Sequence, residues 1–252
     1  MKLKLKDKII LITGVGKGIG REILDKLLKE KNIIYAVTRS IKDIKKIKKR
    51  KNFFIIHGDI TKKEIVHKIF NLAKKNKHVI NCLINNAGIR QRKSFNLLSE
   101  NEIKLIFENN YFSVFNLTKE FVKQFKFKKF YGSVINISSI VGELGFNQLS
   151  GYASTKSAIN GLTKSLSIEL SKKKIRINSI APGFIKSSYY SNFKKKKSSL
   201  YNWTLSRIPL NKWGENSDVA DLTIFLMSEN SKYINGQIIK IDGGWSSTWK
   251  NL

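Results

Sequence analysis

The sequence predicts an α/β fold: one doubly wound parallel sheet with helices on both faces, spanning residues 1–252 as a single domain. Three observations predict it. Short β-branched runs alternate along the whole chain with stretches whose apolar residues recur at helical spacing. The first such run, KIILIT at 8–13, passes straight into a glycine cluster and then into the helix-patterned REILDKLLKE. Finally, 252 residues suit one domain with a full core, and no repeat, low-complexity linker or Pro/Gly hinge divides them.

Composition narrows the class. Hydrophobic residues make up 41%, and no apolar run approaches the ~18 residues that span a bilayer, so a soluble, non-membrane protein is expected. The basic, then apolar start MKLKLKDKIILITG ends in glycines rather than in a small-residue cleavage site, which reads as mature cytoplasmic protein. The single cysteine, Cys82, lies in the apolar run VINCLINN and reads as a small buried side chain. The formal charge of +30 would attract polyanions. Yet the lysines are spread over nearly the whole chain, alongside abundant Asn, Ile and Phe and only two prolines, the profile of codons drifting toward A and T. With no zinc-finger spacing, RNP signature or basic tail, nucleic acid is not the expected partner.

In chain order, Gly14-Val-Gly16-Lys-Gly18-Ile-Gly20 joins the first strand to the first helix, the context of a phosphate-binding loop. Its glycines let the backbone approach a dinucleotide pyrophosphate at the helix N-terminus, where free N–H groups and the helix dipole favour an anion. The second strand, 33–38, closes on Arg39-Ser40. An acidic residue here favours NAD, an arginine the 2′-phosphate of NADP, so Arg39 with Lys17 favours NADP(H) and leaves NAD(H) as the alternative. The basic stretch 41–51 reads as a solvated turn or short helix, and FFIIHGDIT as a third strand running to Asp59, placed to accept from an adenine amino group; His57 reads as a core or edge residue. A helix over 62–76, a fourth strand over 79–84 ending in Asn85-Asn86-Ala87-Gly88, and a long helix over 99–127 containing Asn110 follow.

The chemistry gathers at 132–156. Ser133–Ile137 reads as a strand followed by Ser139, and a helix from Tyr152 puts Lys156 on the same face, one turn on. A tyrosine titrates near pKa ~10, and an ammonium about 4 Å away at an effective dielectric near 20 contributes roughly 4 kcal/mol, enough to make Tyr152 a general acid or base. Eight tyrosines among 41 lysines make one chance Tyr-x-x-x-Lys expected, and Tyr190 with Lys194 supplies a second one, without an upstream strand serine. The Tyr152 pair therefore takes its meaning from its neighbours.

Those neighbours resemble the short-chain dehydrogenase/reductases, in their single-domain form, over essentially the whole chain. The matching motifs are TGVGKGIG at 13–20, GDI at 58–60, NNAG at 85–88, Asn110 five residues before Phe115, ISS at 137–139, YASTK at 152–156, IRINSIAPGFI at 175–185 and GQIIKIDGG at 236–244. Departures are small: Val15-Gly16 stands where small polar residues are common, and Ser187 where a threonine is frequent.

The resemblance implies a seven-stranded Rossmann sheet, a homotetramer, no metal, and a catalytic tetrad of Asn110, Ser139, Tyr152 and Lys156. Ser139 is preferred to Ser138 because the family's serine lies thirteen residues before its tyrosine. It also implies a cofactor site formed by Gly14, Gly16, Lys17, Gly18, Ile19, Gly20, Arg39, Asp59, Ile60, Asn86, Ala87, Gly88, Tyr152, Lys156, Pro182, Gly183, Ile185 and Ser187. In the reductive direction Tyr152 gives a ketone oxygen its proton as hydride reaches the carbon, and Ser139 hydrogen-bonds the same oxygen. Lys156 lowers the Tyr152 pKa and binds ribose hydroxyls, Asn110 holds a water linking Lys156 to solvent, and the turn 182–185 fixes the carboxamide. The reading is therefore a ketone/secondary-alcohol oxidoreductase. A non-catalytic dinucleotide- or RNA-binding protein is the alternative of another class, which the intact tetrad disfavours.

For the substrate, the resemblance implies a lid over about 186–213. One reading is a 3-oxoacyl-carrier-protein reductase, with Lys128, Lys129 and Lys172–Lys174 receiving an acidic carrier. The other, slightly favoured, is a sugar-acid enzyme of the gluconate 5-dehydrogenase type, suggested by NNAGIRQRKSF, GELG and YNWTLSRIPLNKWG. In it Arg90, Arg92 and Lys93, just past a strand end, hold a substrate carboxylate, and Ser139 also touches the substrate.

Overall fold

A computed structural model of the chain describes Leu5, residues 8–40, Lys42, Ile47 and residues 50–125, 131–187 and 190–247. Seven parallel strands form one sheet: β1 Ile9–Thr13, β2 Ile33–Thr38, β3 Phe53–His57, β4 Cys82–Asn85, β5 Gly132–Ile137, β6 Ile175–Pro182 and β7 Ile238–Ile241. Their order is β3-β2-β1-β4-β5-β6-β7, so the winding direction reverses between β1 and β4. The C-terminal ends of the strands at such a reversal are where open α/β sheets bind ligands.

The strands are apolar on both faces because both are covered. Along β1, Ile10 and Ile12 point into one core layer and Leu11 into the other. The same period of two sends Ile34 and Ala36 one way and Tyr35 and Val37 the other. The first layer is filled by Ile23, Leu24 and Leu27 of α1 (Gly18–Leu27) with Val219, Ala220 and Leu226 of α8 (Asn216–Met227). The second takes Val66 and Ile69 of α2 (Lys63–Lys75), Leu117 and Phe121 of α4 (Ser113–Lys123), and Leu166 of α5 (Ser150–Glu169). Cys82 is fully enclosed, and His57 sits exposed on the edge strand β3.

The structure differs from the sequence reading in three places. The fourth strand starts at Cys82 rather than at 79, because the Ile80 N–H donates to the Gln124 side chain at 3.1 Å instead of to a neighbouring strand. The long helix expected over 99–127 is broken into α3 (Glu100–Phe107), a wide π-type turn at Glu108–Phe112, and α4. Helix α8 occupies a stretch to which the sequence motifs assign no element. Beyond β6, the helices α6 (Tyr190–Lys196) and α7 (Ser198–Arg207) pack on a small core of their own: Phe193, Ile208 and Trp213, with Phe184, Tyr201 and Trp245 against them.

Candidate active site

Two adjoining cavities lie at the C-terminal ends of the strands. The first, of about 440 Å³, is lined by Gly14, Gly16, Lys17, Gly18, Ile19, Gly20, Arg39, Asp59, Ile60, Asn86, Ala87, Gly88 and Ser187, all predicted, together with Val37, Thr38, Ser40, Gly58 and Asn109, which were not. Local chemistry explains its shape. Gly14 takes φ +73°, and a Cβ there would lie 2.8 Å from the Ala87 Cα. One on Gly20 would lie 2.3 Å from both the Gly14 carbonyl oxygen and the Asn86 side chain. Asn86 locks the loop by donating through Nδ2 to the Thr13 and Gly14 carbonyls, each at 3.0 Å, while the Thr13 hydroxyl accepts from the backbone N–H groups of Asn86 (3.1 Å) and Ala87 (3.0 Å).

Helix α1 begins here with neither a side-chain cap nor an acidic residue in its first turn, leaving its N–H groups and positive dipole end to an anion. At the β2 end Arg39 donates to the Asn109 Oδ1 at 3.3 Å, and its guanidinium lies 3.8 Å from Asp59, over half exposed. Asp59 itself accepts from the Thr61 N–H and hydroxyl. A cradle with no room for a Cβ at Gly14 or Gly20, an uncapped helix start, and Lys17 and Arg39 in its lining fit a phosphorylated dinucleotide.

The second cavity, of about 520 Å³, shares Lys17, Ile19, Asn86, Gly88 and Ser187 with the first, and brings together Ser139, Tyr152, Lys156, Pro182, Gly183, Ile185, Arg90 and Arg92. Strand β5 delivers Ser139, whose hydroxyl accepts from the Val141 N–H (3.4 Å) and faces the Pro182 carbonyl (3.5 Å). Its neighbour Ser138 is buried and donates to the Asn160 Oδ1 at 2.7 Å, so its hydroxyl is already committed.

Helix α5 presents Tyr152 and Lys156 on one face, as the spacing predicts, with the Lys156 ammonium over the Tyr152 ring. It lies 5.6 Å from the ring centroid and donates to the Ile137 carbonyl at 2.7 Å. Burial pushes Lys156 down to about 8. Burial also raises Tyr152 above the ordinary tyrosine range, and what opposes the rise is first the Arg90 guanidinium and then the Ser139 hydroxyl. The Lys156 ammonium thus lies over the Tyr152 ring while bonded to a β5 carbonyl, and the Arg90 guanidinium in the loop after β4 adds a second positive charge that favours the phenolate.

Asn110 lines neither cavity. It is 1% exposed, in the π-type turn, where its Oδ1 accepts from the Ile89 N–H (2.8 Å) and its Nδ2 donates to the Ile89 carbonyl (2.9 Å) and the Thr155 hydroxyl (3.1 Å). It ties the loop carrying Arg90 to the helix carrying Tyr152. Lys93, grouped with Arg90 and Arg92 in the sequence, is instead bound to Glu102 at 2.9 Å. Lys172–Lys174 precede β6 and so lie at the strands' N-terminal edge, the opposite end of the sheet from both cavities; the Lys174 carbonyl accepts from the Gly132 N–H where β5 starts. They are no landing site for a carrier at the active site. Lys128 and Lys129 fall outside the described residues. Unforeseen from sequence is the aromatic wall of Phe146, Phe184, Phe193, Trp203 and Trp213.

A family model described as short chain dehydrogenase matches residues 8–198. The 3-oxoacyl-(acyl-carrier-protein) reductase FabG of Buchnera aphidicola subsp. Schizaphis graminum (strain Sg) is 33% identical over 249 residues, covering 98% of this chain and 100% of that protein. Among solved structures, a 4-hydroxyisoleucine dehydrogenase complexed with NADH superposes with a TM-score of 0.90 at 29% identity, over 96% of this chain and 100% of the other. ElxO with NADP bound superposes with a TM-score of 0.87 at 31% identity, over 96% and 99%.

Proposed function

The chain belongs to the short-chain dehydrogenase/reductase family, and we propose that within it this protein is an NADP(H)-dependent oxidoreductase interconverting a ketone and a secondary alcohol. The observation that carries the reading is the convergence of Ser139, Tyr152 and Lys156 on a cavity that opens into the glycine-loop cavity. The preference for NADP(H) over NAD(H) rests on Arg39 and Lys17 at the rim where β2 ends, and is supported by the relative solved with NADP bound.

The nicotinamide cofactor supplies the hydride. Tyr152, whose phenol stays protonated at neutral pH, holds the proton that the carbonyl oxygen takes up, and Ser139 donates a hydrogen bond to that oxygen as negative charge develops. Lys156 holds its proton below pH about 8 at the cavity wall, where it would hold the sugar hydroxyls of a bound dinucleotide. Asn110 acts as a positioning residue, through Ile89 and Thr155. Residues 182–185 and Ser187 close the cofactor end, and 190–213 form the lid.

As regards the substrate, the relatives named 3-oxoacyl-carrier-protein reductases and the apolar wall support an acyl-type ketone as a second reading, and that wall weighs against the sugar-acid lean. We place the enzyme in the cytoplasm as a homotetramer. Supporting this, no described helix is long and apolar enough to cross a membrane, and Leu105, Phe112 and Phe115 are exposed on the α3–α4 unit. The test is Tyr152→Phe: ketone-dependent NADPH oxidation is expected to fall by at least ~10²-fold while NADPH binding, read by fluorescence, is retained. A variant keeping more than about a tenth of the wild-type rate refutes the assigned role.

A further inference from the structure

The substrate cavity is uneven in its chemistry. Four cations line it, Lys17, Arg90, Arg92 and Lys156, and among the described lining residues none is acidic. Lysine abundance does not account for the arginines: the chain has only seven, and two of them are at this cavity. Their neighbour Lys93 is neutralised by Glu102, whereas Arg90 and Arg92 stay at the cavity. Arg90 is also near enough to the reacting position for its charge to act on the Tyr152 phenol.

The opposite wall is apolar: Phe146, Leu149, Phe184, Phe193, Leu200 and Trp203. Polar side chains among the lining residues are largely committed elsewhere. Thr204 is held between the Trp213 indole N–H (2.8 Å) and the Tyr201 carbonyl (2.6 Å), Asn86 is locked to the glycine loop, and Ser138 is bonded to Asn160. A polyol seated there would bury hydroxyls with no partners, which disfavours it.

On the reading that the protein is a ketone/secondary-alcohol oxidoreductase, we propose that its substrate is a short 2- or 3-oxo acid with an apolar body, its carboxylate held by Arg90 and Arg92 and its body packed on the aromatic wall of the lid. Two guanidiniums suit a carboxylate better than two ammoniums, since each offers a planar pair of donors. Placing the anion close to the ketone follows from Arg90 and Tyr152 lining one cavity, and a planar or branched body from Phe184, Trp203 and Phe146.

The experiment measures NADPH oxidation by the intact enzyme with phenylpyruvate, 4-methyl-2-oxopentanoate and acetoacetate, with the methyl ester of each, with an acetoacetyl thioester and with 5-ketogluconate. NADPH binding is followed separately by fluorescence. The expected result is that kcat/KM for at least one free apolar acid exceeds that of its ester by roughly 10-fold or more. Arg90→Gln and Arg92→Gln should each lower the acid-to-ester ratio by roughly 10-fold, the loss of one charge-assisted hydrogen bond. Preference for the esters or the thioester, or an acid-to-ester ratio unchanged in both variants, overturns the carboxylate assignment while leaving the oxidoreductase reading in place. Preference for 5-ketogluconate over the apolar acids overturns the apolar body. Reduction of none of them by protein that binds NADPH overturns the inference, whereas the functional reading falls separately, if Tyr152→Phe keeps more than about a tenth of the wild-type rate on any ketone the enzyme reduces.

Discussion

Lys156 is 7% exposed, and its ammonium is bonded to one backbone carbonyl. Burial takes it from the ordinary lysine value of 10.5 to about 8. At about 1.4 kcal/mol per pH unit, that interval makes the charged lysine cost the folded apo protein about 3 kcal/mol. The sign follows from proton counting. The folded pKa lies below the unfolded one, so between pH 8 and 10.5 the unfolded chain binds more protons, and this group makes stability rise with pH across that window. Below about pH 8 the cost is complete. Lys156→Met keeps the length and removes the charge, and with it the hydrogen bond to Ile137, worth roughly 1–2 kcal/mol once the carbonyl is left alone. The variant is therefore expected to be more stable than wild type near neutrality by about 1–2 kcal/mol. This advantage should shrink by about 2 kcal/mol between about pH 7.5 and 10. Urea unfolding of both proteins, without cofactor and at one protein concentration, reads the difference, in which the other titrating lysines cancel. A variant-minus-wild-type gap that stays flat across that range refutes the burial of a charged Lys156.

Arg39→Asp is expected to weaken NADPH binding by roughly 10- to 100-fold and NADH binding much less, because it replaces a phosphate partner with a carboxylate beside Asp59; unchanged relative affinity by titration would remove Arg39 from the cofactor site. Gly20→Ala forces a Cβ to within 2.3 Å of the Gly14 carbonyl oxygen, so the glycine loop must move. The expected outcome is a loss of stability of roughly 1–3 kcal/mol and a loss of cofactor affinity of at least ~10-fold, measured on protein shown by circular dichroism to be folded. Trp213→Ala empties the centre of the lid core, where Trp213 packs on Phe184, Tyr190, Phe193 and Tyr201. Hydrogen exchange should accelerate over 190–213 but not in β1, β4 or β5, with KM rising more than kcat falls; uniform acceleration across the sheet would show that the lid has no separate core.

How much of this was legible in the sequence depends on the range over which each feature is determined. The strand–glycine–helix passage at 8–27 is local: an apolar run, glycines where no Cβ fits, and a helix with an apolar face, so its fold and its phosphate cradle are written in adjacent residues. The shared face of Tyr152 and Lys156 is equally local, being one turn of one helix. Where Lys156 points is not, because the Ile137 carbonyl that draws it belongs to β5, nineteen residues away. The π-type turn at Asn110 was hidden for a similar reason: the residues at 99–127 keep a helical pattern, and what breaks it is the bonding of Asn110 to Ile89 and Thr155. The aromatic wall gathers Phe146, Phe184, Trp203, Trp213 and Trp245 from separate elements, with no period to reveal them.

The division has a functional counterpart. Residues that line the glycine-loop cavity sit at strand ends whose positions the doubly wound sheet fixes, and for those a local motif suffices. The second cavity adds to Ser139 and Tyr152 residues from the loop after β4 and from the segment with its own small core beyond β6. Arg90 stands at their junction. It is carried by a loop whose Ile89 backbone is clamped from both sides by Asn110, and its charge opposes the upward shift of Tyr152. A change of substrate charge in this scaffold therefore bears on the proton donor as well as on binding, so substitutions at Arg90 should alter the pH dependence of kcat as well as KM. Arg90→Gln removes the charge opposing the upward shift of Tyr152, and the basic limb of its pH–rate profile should accordingly move to higher pH; a limb that stays where it is in wild type would leave Arg90 a binding residue only.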